Sequence, residues 1–297
     1  IRRPPRSTLF PTRRSSDLEL RQNGQRVACI TYTKRAVAVI SARLGFDDLY
    51  VVSTLHSFLW AQIRRFHSDI RQALEKRRLP DLIAKERAKD NGGRSKAAKE
   101  AREKAAQYEL EVEALSTVDH FDYGDAPYGD YPKGILGHDD IIVVASYLLE
   151  ANATFRRIIG LRFPYIFVDE AQDTAEDIVK GLNLVCNGDG LPIVGYFGDP
   201  WQQIYDQTQN DFAPPESGET ISKTENFRCS KSVIRLLNGF RKDVEQYPAG
   251  ENKDQEGSVL FRLVKAEEPE EPRRRYSEAQ TARALARLDE AMEAWGW

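Results

Sequence analysis

Two neighbouring carboxylates follow an apolar run in Phe167-Val168-Asp169-Glu170-Ala171-Gln172-Asp173. A strand that delivers acids at its carboxyl end places them where open α/β sheets bind ligands. There Asp169 can hold Mg²⁺, directly or through water, while Glu170 can orient and deprotonate a water attacking a phosphoryl group. Taken alone, the pair could equally be the solvated acids of a turn. A second segment weighs against that: Pro192-Ile193-Val194-Gly195-Tyr196-Phe197 is a further apolar run, and the Gly198-Asp199 turn after it offers Gln202 as an uncharged sensor of a phosphate or of the attacking water. Glu225-Asn226-Phe227-Arg228 adds a guanidinium, the charge type that stabilises a phosphoryl-transfer transition state.

These residues need a sheet to hold them. Val27–Thr33 is a short β-branched and apolar run followed by a helical pattern through Ala36, Val39, Ile40 and Leu44 that stops at Gly45. Tyr50–Thr54 and a helix from Ser57 to about Arg71 repeat the pair, and successive βα units predict a parallel sheet. Tyr165–Val168 and Pro192–Phe197 are apolar along their whole length, as strands covered on both faces are. Thr220–Thr224 and Ser258–Val264 are further candidate strands, and Ser230 to about Val244 and Ser277–Trp295 candidate helices.

Between these units lies a block of another character. Residues 76 to 113 read as a polar helix pair around Asn91-Gly92-Gly93, with eleven Lys/Arg against five Asp/Glu from Lys76 to Lys104; a Gly/Tyr/Asp loop from Asp119 to Asp140 then reverses the sign. Most such charges are solvated helix faces. The expected organisation is therefore residues 18–75 and 140–228 as one α/β domain, 76–139 as a helical insertion, and 229–297 as the unfinished start of a second domain. The first seventeen residues carry five arginines and three prolines without hydrophobic period. They read as a basic disordered tail, or as non-native: IRRPPRSTLFPTRRSSDL resembles translated sequencing-adapter DNA, which places the native sequence from about Leu18.

Composition narrows the class. With 297 residues, 41% apolar and 30% charged, the chain can bury a large core; its net charge of −3 neither advertises nor excludes a nucleic-acid partner. Cys29, Cys186 and Cys229 are odd in number and widely spaced, against a disulfide framework or a zinc site and for a reducing compartment, the cytoplasm by default. No apolar run reaches the roughly 18 to 20 residues of a membrane helix.

The order of the segments resembles superfamily 1 helicases of the UvrD type. Ile30-Thr31-Tyr32-Thr33-Lys34-Arg35-Ala36 is similar to that family's TFTNKAA segment and Val52-Ser53-Thr54-Leu55-His56-Ser57-Phe58 to its TFHSF segment. Val168–Thr174 resembles DExQDT, Gly198–Tyr205 resembles GDxxQSIY, and Glu225–Ser230 resembles the NYRS segment. The resemblance implies a RecA-like P-loop NTPase sheet and the start of a second RecA-like domain. It implies ATP and Mg²⁺ as ligands, with Asp169 on the metal, Glu170 as general base, Gln202 reading the γ-phosphate, Arg228 contacting it and Phe227 stacking on adenine. Thr31, Tyr32, Arg35, Thr54, His56 and Tyr205 would face single-stranded DNA, and the cationic insertion would lie beside the duplex of a single-strand/duplex junction, part of it touching phosphates. A protein partner in a repair or defence complex is compatible with the family; a membrane partner is not expected. Two departures stand out: Lys34-Arg35 replace Asn-Lys and keep the positive charge, while Gln207 stands where many members have a base-stacking tryptophan.

One element of the family is missing from the sequence. No GxxxxGK[ST] occurs in the 297 residues, so neither the phosphate-cradling loop nor its lysine is present. The family's order places strand, loop and helix upstream, the helix ending near Leu18. The leading expectation is a DNA translocase and helicase of which this chain is an inactive fragment; the alternative is a nucleic-acid-binding or assembly module with a degenerate NTPase site. A Mg²⁺-dependent nuclease built on Asp169, Glu170 and Asp173 would leave Gln202 and Arg228 unexplained.

Overall fold

The computed structural model describes residues 11–90, 92–93, 95–124, 126–186, 190–203, 218–261, 267–269 and 275–294, with side chains from residue 17 onward. The chain divides into two compact units, Ile1–Glu219 and Thr220–Trp297.

The first unit is built on a four-stranded parallel sheet. Its strands are β1 (Val27–Thr31), β2 (Tyr50–Thr54), β5 (Tyr165–Asp169) and β6 (Ile193–Phe197), in the order β2-β1-β5-β6. Val27 lies opposite Tyr50 on one side and Tyr165 on the other, so both neighbours are in register with β1, and Asp169 stands beside Phe197. Parallel strands bring all their carboxyl ends to one edge, so Thr31, Thr54, Asp169 and Phe197 share it. The centre of the sheet is buried, with Ala28, Ile30, Ile166 and Val168 at 1% exposure or less. β6 differs from the expectation of a strand covered on both faces. It sits at the end of the strand order, and Ile193 and Phe197 are exposed there.

Helices α1 (Pro11–Gln22), α2 (Lys34–Arg43), α3 (Leu55–Ile63), α7 (His138–Ala151), α8 (Ala153–Arg162) and α9 (Glu176–Asn183) accompany these strands. The expected tail is thus helical from Pro11, and residues 1–10 lie outside the described ones. Leu20 of α1 is buried against Val27 and Leu49, and Arg21 pairs with Asp47 and Asp48. The helix expected from Ser57 to Arg71 is two: α3 ends at Ile63 and α4 (His67–Ala73) begins after Phe66, whose φ of −102° and ψ of 55° break the helical run.

The insertion begins in a π-helical turn, Leu74–Arg78, and continues through α5 (Leu79–Lys89) and α6 (Lys96–Ala114), the expected pair around Gly92-Gly93. Ala98, Ala101 and Ala105 recur at helical spacing and are buried, so α6 approaches its neighbour closely. The chain returns through two short parallel strands, β3 (Asp122–Tyr123) and β4 (Ile135–Leu136). Its two ends meet. Arg78 Nε donates to Asp140 Oδ1 at 2.6 Å, Tyr131 Oη donates to the same oxygen at 2.8 Å, and Gly137 N donates to Asp140 Oδ2 at 2.7 Å. Asp140 is fully buried, and this ring of donors is what a buried carboxylate requires. The neighbouring Arg77 bridges Glu150 at 2.6 Å and Asp177 at 3.1 Å, tying the insertion to α7 and α9.

The second unit holds β7 (Glu225–Asn226) paired with β8 (Tyr247–Pro248), then α10 (Lys231–Phe240) and α11 (Glu278–Ala294). This compact unit begins at Thr220, whereas the sequence places a domain boundary near residue 228. Residues 220–224 and 258–261 are not strands, and 262–266 lie outside the described residues. Hydrogen bonds explain the shift: Asn226 Oδ1 accepts from Arg228 N and Cys229 N, and Asn252 Nδ2 donates to the Phe227 carbonyl, so this segment closes onto residues that follow it.

Candidate functional site

The carboxyl edge of the sheet gathers the candidate residues of the first unit. Asp169 is the last residue of β5, and Thr31, the last of β1 and only 1% exposed, donates from Oγ1 to Asp169 Oδ2 at 3.3 Å. The structure thus assembles Thr31 with the candidate metal carboxylate, facing inward. Glu170 follows with φ 52° and ψ 44°, the left-handed region that a residue with a Cβ enters at a cost of about 1 to 3 kcal/mol. A short 3₁₀ turn, Ala171–Asp173, carries the chain onward.

Gln172, which falls on the Q of the segment resembling DExQDT but to which the residue pattern assigns no role, joins two segments. Its side chain is buried; Nε2 donates to Glu170 Oε2 at 2.7 Å, and Oε1 accepts from Asp199 N at 3.2 Å. Asp199 caps its own turn through Trp201 N at 3.2 Å and accepts from Gln202 Nε2 at 3.0 Å. Glu170, Gln172, Asp199 and Gln202 are therefore linked through hydrogen bonds. Gly198 leaves room for this amide: a Cβ at that position would stand 2.5 Å from Gln172 Oε1 and 3.2 Å from the backbone nitrogens of Ala171 and Gln172, so the Gln172 side chain would have to move. The signal that could have found Gln172 is its place between two acids on a turn after a buried strand, where an uncharged donor can hold a carboxylate without competing with it.

The candidate strand-facing residues distribute unevenly. Tyr32 is half-buried, and its hydroxyl donates to the Asp173 carbonyl, joining the first such segment to the acidic turn. Arg35 is exposed on α2, whose N-cap Thr33 accepts from Ala36 N at 3.1 Å. Thr54 caps α3, its Oγ1 accepting from Ser57 N at 3.4 Å while donating to Ser57 Oγ at 2.9 Å. His56 is half-buried, its ring edge-on to His138 at 5.1 Å between centroids; burial and the neighbouring imidazole lower its pKa, while Asp139 opposes them. Tyr205 and Gln207 lie outside the described residues. Phe227 and Arg228 are exposed and belong to the second unit.

The donor chemistry fits a nucleotide-borne magnesium ion. Mg²⁺ in phosphate-transfer sites takes one or two carboxylates and draws its remaining ligands from phosphate and water, and Asp169 with a hydroxyl beside it is such a donor. Among the described residues no cluster of three or more His, Cys, Asp or Glu could hold an ion by itself.

Comparison with known proteins supports the helicase resemblance. Residues 82–211 match the UvrD/REP helicase N-terminal domain. Over that span the chain is similar to a UvrD-like helicase domain. Its mixed α/β architecture, a parallel sheet with helices, agrees with the RecA-like fold of these proteins. The chain is 25% identical over 317 aligned positions to Gabija protein GajB of Bacillus cereus (strain HuB5-5), covering 84% of this chain and 46% of that one. It is 30% identical over 131 residues to the A subunit of an ATP-dependent helicase/nuclease from Streptococcus suis (strain 98HAH33), covering 40% of this chain and 10% of that one. The corresponding protein of Lactococcus lactis is 30% identical over 125 residues, covering 38% of this chain and again 10% of its own length. The chain thus spans about half of one relative and about a tenth of the others. Among the described residues, no helix is long and apolar enough to cross a membrane.

Proposed function

We propose that this chain is the ATP-hydrolysing and strand-gripping part of a DNA translocase, coupling ATP + H₂O → ADP + phosphate to movement on single-stranded DNA and strand separation. The observation that carries the reading is the hydrogen-bonded series from Glu170 through Gln172 and Asp199 to Gln202, at the carboxyl edge of a parallel sheet. Asp169 would hold Mg²⁺, with Thr31 orienting it. Glu170 would take the proton of the attacking water, and Gln202 would read the γ-phosphate. Phe227 would stack on adenine and Arg228 contact the phosphates. Tyr32, Arg35, His56 and Tyr205 would face the strand, with Thr54 shaping that surface through the α3 cap. Bound Mg·ATP would supply the electrophilic phosphorus and the metal's charge.

The absent GxxxxGK[ST] enters the proposal directly. Its backbone amides and lysine have no substitute in these 297 residues, so the chain by itself should hydrolyse ATP negligibly. A second reading is a binding or assembly module with a degenerate site. A protein partner in a repair or defence assembly belongs to the proposal too, and the likeness to Gabija protein GajB supports it; the cytoplasm is the proposed compartment. Unwinding of a labelled single-strand/duplex junction by the complete protein tests the reading. ATP-dependent release of the labelled strand is expected. Junction binding without ATP-dependent release, from a complete protein that does contain the loop, would overturn it in favour of the module.

A further inference from the structure

Four rings from two parts of the chain touch at one end of α3. His56 meets His138 at 5.1 Å between centroids, His138 meets Tyr123 at 5.4 Å, and Tyr123 meets Trp60 at 6.0 Å. His56 and Trp60 come from the core helix; Tyr123 and His138 come from the returning limb of the insertion. All four are half-buried, so each retains some exposure, while Trp60 and Tyr123 also pack against the core.

The insertion holds its two rings rigidly. Tyr123 Oη is hydrogen-bonded to His138 Nδ1. His138 N donates to the Ala126 carbonyl at 3.1 Å, and Gly124 N donates to the Leu136 carbonyl at 2.9 Å. A Cβ on Gly137 would stand 2.7 Å from the Pro127 carbonyl oxygen, so the turn wraps closely over the start of α7. The chain's other histidine pair is built differently. His67, 4.1 Å from His120, spends its Nδ1 on Phe121 N at 3.2 Å and so serves as a backbone anchor. The ring hydrogen bond of the His56–His138 group goes instead to a side chain, which leaves an aromatic surface held by aromatic neighbours.

We infer that Tyr123 and His138 extend the base-facing surface begun by His56, so that the insertion itself contributes to the binding of an unpaired nucleobase. This rests on the reading of His56 as strand-facing. The group follows the carboxyl end of β2, on the same sheet edge as Asp169 and Tyr32. Its members are aromatic rings and imidazoles, suited to the π-face of a base, and stacking of this kind tolerates any sequence.

The test uses the complete protein and a fluorescein-labelled oligo-dT, with fluorescence anisotropy as readout and a duplex of equal length as control. His56→Ala, His138→Ala and Tyr123→Ala should each weaken single-strand affinity by about 5- to 150-fold, the worth of one base-stacking interaction, and leave duplex affinity unchanged. His138→Phe and Tyr123→Phe should restore most of it, because the ring is what binds. If His56→Ala weakens binding but His138→Ala and Tyr123→Ala do not, the inference fails and the strand-facing reading stands. If His56→Ala has no effect, that reading fails and the inference with it. Equal losses on single strand and duplex, or phenylalanine variants as weak as the alanine ones, would also overturn the inference and assign these rings to packing alone.

Discussion

The carboxyl edge of the sheet and the helical insertion both collect polar side chains, yet they satisfy them in opposite ways. At the sheet edge the bonds are directional, and the two candidate catalytic acids are held by neutral partners: Asp169 by Thr31, Glu170 by Gln172. Such partners leave the acids' charge available for a metal or a water. In the insertion the charges cancel one another. Of the eleven cationic residues from Lys76 to Lys104, Arg77, Arg78, Arg87, Lys89, Lys96, Lys99 and Arg102 pair with acids; Arg94 lies outside the described residues. Among the described residues, Lys76, Lys85 and Lys104 form no ion pair. A cationic count in the sequence therefore overstates the charge the insertion can offer to a phosphate backbone.

The sharpest contrast lies between the pair that closes the insertion and those on its surface. Arg78→Met leaves the buried Asp140 without its cation and should cost about 3 to 5 kcal/mol, read as a fall in thermal midpoint. Arg87→Met removes an exposed pair with Glu109 and should cost at most about 1 kcal/mol. Similar losses from the two would erase the distinction.

A second substitution probes the sheet edge. Gly198→Ala pushes a methyl group into Gln172 and should detach its amide from Glu170, lowering turnover in the complete protein about tenfold or more, the equivalent of one charge-assisted hydrogen bond. ATP affinity should change little. An unchanged turnover number would show that Gln172 is a packing residue.

For the insertion, reversing Lys76, Lys85 and Lys104 together should reduce the slope of log K against log salt on a junction by about 0.9 for each phosphate no longer neutralised. An unchanged slope would make the whole cluster a solvated face.

Acid stability is the smallest effect. His56 and His67 have pKa values lowered by burial first and by the facing His138 and His120 second, with Asp139 and Asp122 opposing. A histidine held below its unfolded value of about 6.5 binds its proton more weakly in the folded state, so stability is full above that pH and declines as pH falls through it. The thermal midpoint should drop modestly between about pH 7 and 5, and less in His67→Gln.

Much of this was legible in the residues. The parallel strands were marked by apolar runs and the insertion by its change of composition, because burial and solvation write directly into residue type. The divided helix after Ile63 was not, since Arg64-Arg65 fit a helix and the break is set by Phe66 packing on Phe155. The edge exposure of β6 was hidden because an apolar strand reads alike at the centre and the rim. Gln172 escaped because its role depends on Gly198 and Asp199, 26 and 27 positions away, meeting it in space. The bond from Thr31 to Asp169 escaped for a similar reason, since only strand order shows that β1 lies beside β5.

The central claim is that Glu170 takes the proton of the hydrolytic water. Phosphate release by the complete protein, with saturating Mg·ATP and single-stranded DNA, tests it most directly when wild type is compared with Glu170→Gln. Turnover should fall by about 10² to 10⁴, the usual worth of a general base, while nucleotide and DNA affinities hold. A Glu170→Gln protein that releases phosphate at nearly the wild-type rate would contradict it.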